Sequence, residues 1–379
     1  MGHARHFSST YAQARARFLA CVDAAGGTVE THVNPHALGA EGEDLAMDVA
    51  RFGAVDAEAL LVICSGTHGN EGFCGSACQA GFLAEGLLAQ RATDTAVLLV
   101  HAVNPYGFSH VRRVTEDNVD LNRNFQDFSR PLPDNAAYRE IHDVVVPADW
   151  DGPERARCDA VLQRWTVDHG GIRALQAAIA GGQYAYPDGV FFGGRKPTWS
   201  NETVRAVMRD HAGTARRLAL IDIHTGLGPP GEGELISVRD PGSTGFARAK
   251  AWWGETVKSV VGHAGEESRS TPVTGSLIGF VEDTAAAEAT AIGLEFGTVE
   301  LLEVFDALRG DNWLYSWGLP SGLAMTSPLA RRIKDKIRDA LTVDSDDWKE
   351  KVFTRAAEVT LQAFKGLAGV DAAARGPAR

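Results

Sequence analysis

The chain has 379 residues, 44% hydrophobic and 23% charged, which are the proportions of a soluble globular protein able to bury a core without covalent staples. Its net charge of −12 argues against a nucleic-acid partner, which would want a basic face. No stretch approaches the roughly 18 consecutive apolar residues of a membrane span, and the N-terminus lacks the apolar core of a signal peptide.

In chain order, Tyr11, Ala14, Phe18, Leu19 and Val22 recur at helical spacing and predict a helix over 9–24, stopped by Gly26 and Gly27. ALLVIC, 59–64, is a continuous apolar run that suits a strand buried on both faces. A helix over 72–90 and a second buried strand over 96–103 follow, then the turn NPYGF and a charged loop. Residues 153–180 read as helix, LALIDIH (218–224) as a third buried strand and ELISV (234–238) as a fourth. A helix carrying Trp252 and Trp253 is expected over 245–261, a strand at 291–296 (AIGLEF), and helix from about 327 to 367, broken near TVDSDD. Apolar strands alternating with helices predict an α/β fold: three layers, with a central mixed, mainly parallel sheet and helices on both faces. No repeat, linker or composition shift divides the chain, so residues 1–370 are expected to form a single domain and 371–379 a frayed tail.

Five cysteines, an odd number without zinc-ribbon spacing, read as reduced thiols and point to a cytoplasmic location. Cys74 and Cys78, four apart on an expected helix, fit either a two-thiol metal clip or two small buried apolar residues.

Four polar clusters fall where such sheets gather functional groups, at the carboxyl ends of strands. SGTHGNEG, 65–72, places His68 and Glu71 three apart in a glycine-rich turn. Both residue types ligate zinc, and glycines let the backbone bend so that both side chains aim at one point. A solvated turn is the bland alternative, and a phosphate loop would need a following Gly-Lys-Ser/Thr. His224 ends the third strand, with Asp222 two residues earlier on the same face, where a carboxylate can hold a ligating imidazole in one tautomer. Two histidines and a glutamate leave zinc an open position, the catalytic pattern. Arg112, Arg113 and DNVDLNRNF (117–125) offer guanidinium forks and a neutral Asn donor for a carboxylate, with Leu121 and Phe125 anchoring the loop. Glu295 ends an apolar strand, where a carboxylate needs a partner or a task such as general base.

Taken together, SGTHGNEGFCGS, HAVNPYGF, RRVTEDNVDLNRNF, IDIHTGLG and LEFGT resemble the zinc carboxypeptidase A-like superfamily. They look most like a bacterial branch grouped with succinylglutamate desuccinylase and aspartoacylase, over roughly residues 8–320. The resemblance implies one zinc per chain on His68, Glu71 and His224. It implies Arg113, with Arg112 as the alternative, as the group that polarises the scissile carbonyl. Asn122 and Arg123 would clamp a substrate carboxylate, Glu295 would be the base, and Asp222 would support His224. The tyrosine that closes over carboxypeptidase substrates is missing from STPVTGSLIGFVEDT, as it is in the deacylases. The expected activity is hydrolysis of an amide next to a free carboxylate, in a small molecule or short peptide, by a metallocarboxypeptidase or an N-acyl amino-acid deacylase. An esterase of the same fold and a non-catalytic zinc- and carboxylate-binding protein are the alternatives. A serine hydrolase lacks its Gly-x-Ser-x-Gly elbow here.

Overall fold

Eight strands join into one sheet in the computed structural model, which describes residues 2–261, 268–285 and 288–369. The strands are β1 (Thr28–Leu38), β2 (Asp44–Phe52), β3 (Ala59–Ser65), β4 (Thr95–His101), β5 (Arg217–Pro230), β6 (Gly233–Ser237), β7 (Val257–Ser259) and β8 (Glu288–Gly297). The helices begin with α1 (Tyr11–Ala24), α2 (Gly72–Ala84), α3 (Pro105–Ser109), α4 (Ala136–Val145), α5 (Pro153–Asp168) and α6 (Ile172–Ala180). They continue with α7 (Trp199–Ala212), α8 (Thr244–Trp253), α9 (Leu277–Thr284), α10 (Leu301–Trp313), α11 (Pro328–Leu341) and α12 (Asp346–Leu367).

The sheet order is β1-β2-β4-β3-β5-β8-β6-β7. Its centre, β4-β3-β5-β8, is parallel, and antiparallel pairings add β2 and β6 on the two sides. Period-two alternation splits the central strands between two cores. Leu61, Ile63, Ile221 and Leu294 pack with α1, α2, α8 and α12, while Leu60, Val62, Leu218 and Leu220 pack with α7 and α9. The result is a three-layer α/β architecture, and the four continuous apolar runs of the sequence are its four central strands. Each fully buried Leu or Ile contributes roughly 1.5–3 kcal/mol, which makes these strands the rigid base of what lies at their ends.

Several expected boundaries move. The helix read over 245–261 ends at Trp253, where Gly254 takes a φ of +90°, and Val257–Ser259 is an edge strand. The helix read over 153–180 is two, parted by Gly170 and Gly171 at positive φ. The helix after SGTHGNEG stops at Ala84, before the left-handed Gly86. The β1–β2 hairpin and α7 and α9 had no sequence expectation. The expected tail, 371–379, lies outside the described residues.

From β3 the chain passes to β4 on one side and later to β5 on the other. That reversal opens a crevice at the carboxyl ends of β3 and β5, the place where open α/β sheets bind ligands. Cys74 and Cys78 lie in the core beneath it, and the cysteines are free. No helix among the described residues is long and apolar enough to cross a membrane.

Candidate metal centre and substrate cavity

The turn after β3 is shaped by contact as much as by bending. Gly66 has a φ of +66°, a region that favours glycine. A Cβ on Gly69 would run into the Gly107 backbone, and one on Gly72 would come within 2.5 Å of the Phe108 ring. The turn is therefore pressed against α3, and its N–H groups at Gly69 and Asn70 donate to the carbonyls of Arg113 (3.1 Å) and Arg112 (2.8 Å). This crossing fixes the direction of His68 and Glu71.

Ligand atoms of His68, Glu71 and His224 lie within 4.8 Å of one another, and all three residues are buried. His68 Nδ1 sits 2.9 Å from Glu71 Oε1, and His224 Nδ1 sits 2.8 Å from Glu71 Oε2. Both imidazoles thus turn Nδ1 to the centre. His224 Nε2 meets Asp222 Oδ2 at 2.7 Å, and Asp222 in turn accepts from Thr67 Oγ1 at 2.7 Å. His68 Nε2 lies 2.8 Å from Arg113 Nη2 and 3.3 Å from Asp120 Oδ1. A carboxylate behind each imidazole is the arrangement that holds metal-binding histidines in orientation.

Asp120 had no part in the sequence reading, yet it ties the site together. Its Oδ2 accepts from Arg113 Nε at 2.8 Å. Its Oδ1 accepts from the Asn122 N–H at 2.9 Å and from Arg123 Nη1 at 3.4 Å. Burial would raise its pKa, but Arg113 and Arg123 outweigh burial and hold it well below the ordinary carboxylate value. Nothing local marks it among its acidic neighbours, since His68 is far away in sequence.

The two arginines separate cleanly. Arg113 lines the cavity, bonds Glu71 Oε1 at 3.1 Å and lies over the Phe191 ring; its five-donor guanidinium retains N–H capacity beyond these bonds. Arg112, expected as a substrate-binding group, turns the other way. Its Nε donates to Asp311 at 2.9 Å, its Nη2 to Asn118 at 3.0 Å, and it stacks on Tyr315 at 3.7 Å. Lys334 closes that buried group on Asp311 (2.6 Å) and the Val111 carbonyl (2.7 Å). Arg112 therefore anchors the loop outside the cavity.

Arg123 lines the cavity, bonds the Ala180 carbonyl and lies over Phe191. Its stem is pressed by Gly182, where a Cβ would come within 2.7 Å of Arg123 Cγ. Asn122 accepts from the Leu277 N–H at 3.0 Å and places Nδ2 3.3 Å from His224 Nε2. Glu295 is the direct register partner of His224 on the neighbouring strand, and its Oε1 accepts from the Leu227 N–H at 3.0 Å. Burial and the charge of Glu71 push Glu295 up to about 7. Burial acts the same way on Glu71, but His68 and His224 outweigh it and hold Glu71 below the ordinary range. Burial lowers His224, and Asp222 with Glu71 overcome it and raise its pKa well above the ordinary value.

His68, Arg113, Asn122, Arg123, Asp222, His224 and Glu295 all line one cavity of about 170 Å³, and the buried Glu71 bonds both histidines. The carboxylates Glu71, Asp120, Asp222 and Glu295 outnumber the guanidiniums of Arg113 and Arg123, and the raised pKa of His224 reflects that surplus of negative charge. Buried charge of one sign asks for a partner. A divalent cation among two imidazole nitrogens and a carboxylate fits both this charge balance and the donor chemistry.

Fold and centre together define an α/β protein with a candidate divalent-metal site at the switch point of its sheet. The chain belongs to the family described as "Protein of unknown function (DUF2817)", which it matches over residues 7–355. No curated protein matches it. Among solved structures it is similar to carboxypeptidase A from Helicoverpa armigera, at 12% identity over 88% of this chain and 74% of that one, with a TM-score of 0.44. It is similar to a Pseudomonas aeruginosa metallo-carboxypeptidase solved with (2-guanidinoethylmercapto)succinic acid, at 14% identity over 90% and 69% of the two chains, TM-score 0.39. An aspartoacylase family protein from Mesorhizobium loti matches at 16% identity over 78% and 68%, TM-score 0.37.

Proposed function

We propose that this chain is a zinc-dependent hydrolase, one metal per chain, that cleaves an amide bond next to a free carboxylate. The observation that carries the reading is the convergence of three metal-type ligands, a glutamate and two guanidiniums on one cavity. His68, Glu71 and His224 would hold the ion, with Asp120 and Asp222 orienting the imidazoles. When bound, such a cation supplies Lewis acidity, which acidifies water and polarises a carbonyl.

The remaining work belongs to the chain. Arg123, braced by Asp120 and the Ala180 carbonyl, holds the substrate carboxylate, and Asn122 adds a neutral donor. That fixes the amide in the cavity and makes attack nearly intramolecular. Glu295 takes a proton from the attacking water as oxygen bonds to the acyl carbon. Arg113 faces the carbonyl oxygen as negative charge gathers there. The C–N bond then breaks, and Glu295 passes the proton to the departing amine, giving an acid and an amine. Residues 1–370 act as a single unit in this scheme.

The test is Glu295→Gln assayed beside wild type on N-acyl amino acids, their ester counterparts and short peptides. Turnover should fall by roughly 10²–10⁴-fold, the range for losing a general base, while metal content stays unchanged. A Glu295→Gln enzyme that turns over at the wild-type rate would refute the assignment.

A further inference from the structure

The charged residues that line the cavity are all in its polar centre: His68, Arg113, Arg123, Asp222, His224 and Glu295. The rest of its wall is dominated by apolar side chains. Two helices each contribute a row to it. On α6, Ile172, Leu175 and Ile179 follow one another at helical spacing; on α10, Leu302, Phe305 and Leu308 do the same. Both rows run from exposed to buried. Ile172 is 41% and Leu302 56% exposed, whereas Leu175, Ile179 and Leu308 are buried. Exposed Leu and Ile scattered singly need no explanation. Here the two exposed residues stand at the outer ends of rows that line the same cavity.

The gradient also orients a substrate. The Arg123 clamp is buried, and its neighbour Ala180 closes the inner end of α6. A carboxylate held there leaves the opposite end of the molecule to run outward between α6 and α10. The polar side chain that α6 adds to that path is Gln176, whose Nε2 is already given to the Arg269 carbonyl at 2.8 Å, so a charged group would lose its hydration there without meeting a charge of opposite sign. An apolar chain would gain from each methylene removed from water.

We propose that the acyl side of the substrate is an extended apolar chain lying between α6 and α10, so that the preferred substrates are medium- to long-chain N-acyl amino acids. This rests on the hydrolase reading for which end of the substrate faces out, and on the cavity wall for its chemistry. A straight acyl chain has no donor or acceptor beyond its carbonyl, which matches a wall without charge. The specificity-determining positions are Ile172 and Leu302 at the mouth, neither of which touches the reacting atoms.

The experiment measures binding of N-acetyl-, N-hexanoyl- and N-decanoylglycine to the full-length zinc-loaded Glu295→Gln chain by calorimetry, together with hydrolysis of the same series by wild type. Burial of about 0.8 kcal/mol per methylene corresponds to roughly fourfold per carbon, so burying only three or four of the added carbons already raises affinity by about 100-fold from acetyl to decanoyl. Leu302→Glu, an exposed change at a helix start, should remove most of that gain and leave N-acetylglycine binding unchanged. Affinity that is flat or falls with chain length, or a gain that Leu302→Glu leaves intact, overturns the inference; hydrolysis of the short substrate would then keep the hydrolase reading alive. Affinity that rises with chain length while wild type hydrolyses none of the series supports the inference and removes the hydrolase reading. Absence of binding by all three probes overturns the inference.

Discussion

The glycine-rich turn at 65–72 and the loop at 111–125 feed the same cavity and are held in place by different forces. The turn is fixed by backbone. It leaves a buried strand, crosses α3 at glycine distance, and donates two N–H groups to the loop. The loop is fixed by buried charge. Arg112, Asp311 and Lys334 grip its start, Asp120 grips its middle, and Asn124 bonds the Gly193 carbonyl at 2.8 Å near its end. Two of its residues, Val111 and Asn118, sit at positive φ, a conformation that only strong outside anchoring maintains. The metal-type ligands His68 and Glu71 come from the first region, and the groups proposed to bind a carboxylate and a carbonyl, Arg123, Asn122 and Arg113, from the second. A site divided this way should lose its two abilities separately.

The largest effect expected is on the loop. Asp311→Asn leaves Arg112 and Lys334 buried without their anion, and breaking one side of a buried pair costs about 3–5 kcal/mol. Urea unfolding should show that loss, while the folded fraction still takes up one equivalent of metal. Loss of metal binding by the folded protein would mean that the two regions are not separable.

The next effect lies on the turn's side and depends on pH. His101, at the end of β4, shares a 2.9 Å bond with Ser76 of the helix that follows the turn, and its Nδ1 has no partner among the described residues. Burial lowers its pKa from 6.5 to about 4. The folded state therefore prefers neutral imidazole, and the unfolded chain binds the extra proton first. Its stabilising contribution is complete above pH 6.5 and is lost as pH falls toward 4, about 3 kcal/mol in all. Thermal melts of His101→Gln should show a flatter dependence across that window. A wild-type melting temperature that does not change between pH 6.5 and 4 would contradict this.

The smallest effect probes the junction. Asp120→Asn keeps the shape but weakens the hold on His68, Arg113 and Arg123 together. Removing such an outer carboxylate typically costs 10- to 100-fold in metal affinity. A chelator competition titration should find that loss together with a higher KM, the one variant here to move both properties. An effect on KM alone would show that Asp120 serves only the arginines.

What the sequence made readable follows the same division. Strands buried on both faces leave continuous apolar runs, so 59–64, 96–103, 218–224 and 291–296 were legible, and with them His68, Glu71, His224 and Glu295 at strand ends. On the outer parts of the sheet ELISV was legible as β6, but the two edge strands were not. β1 is a mostly exposed edge strand containing Pro35, and β7 has three residues, so neither carries an apolar signature. The loop showed its arginines but not their directions. Arg112 and Arg113 are adjacent in sequence, and only long-range partners, Asp311 for one and Glu71 for the other, send them opposite ways. Asp120 and the α6–α10 wall were missed for a similar reason, because each becomes a group only after distant segments meet.

The most direct measurement is the metal content of the purified chain, read by mass spectrometry after zinc loading and dialysis, for wild type and for His224→Ala. The account predicts about one zinc per wild-type chain and loss of that zinc in a His224→Ala protein that remains folded by circular dichroism. A wild-type chain that retains no divalent cation, or a His224→Ala chain that holds zinc as tightly as wild type, would contradict it.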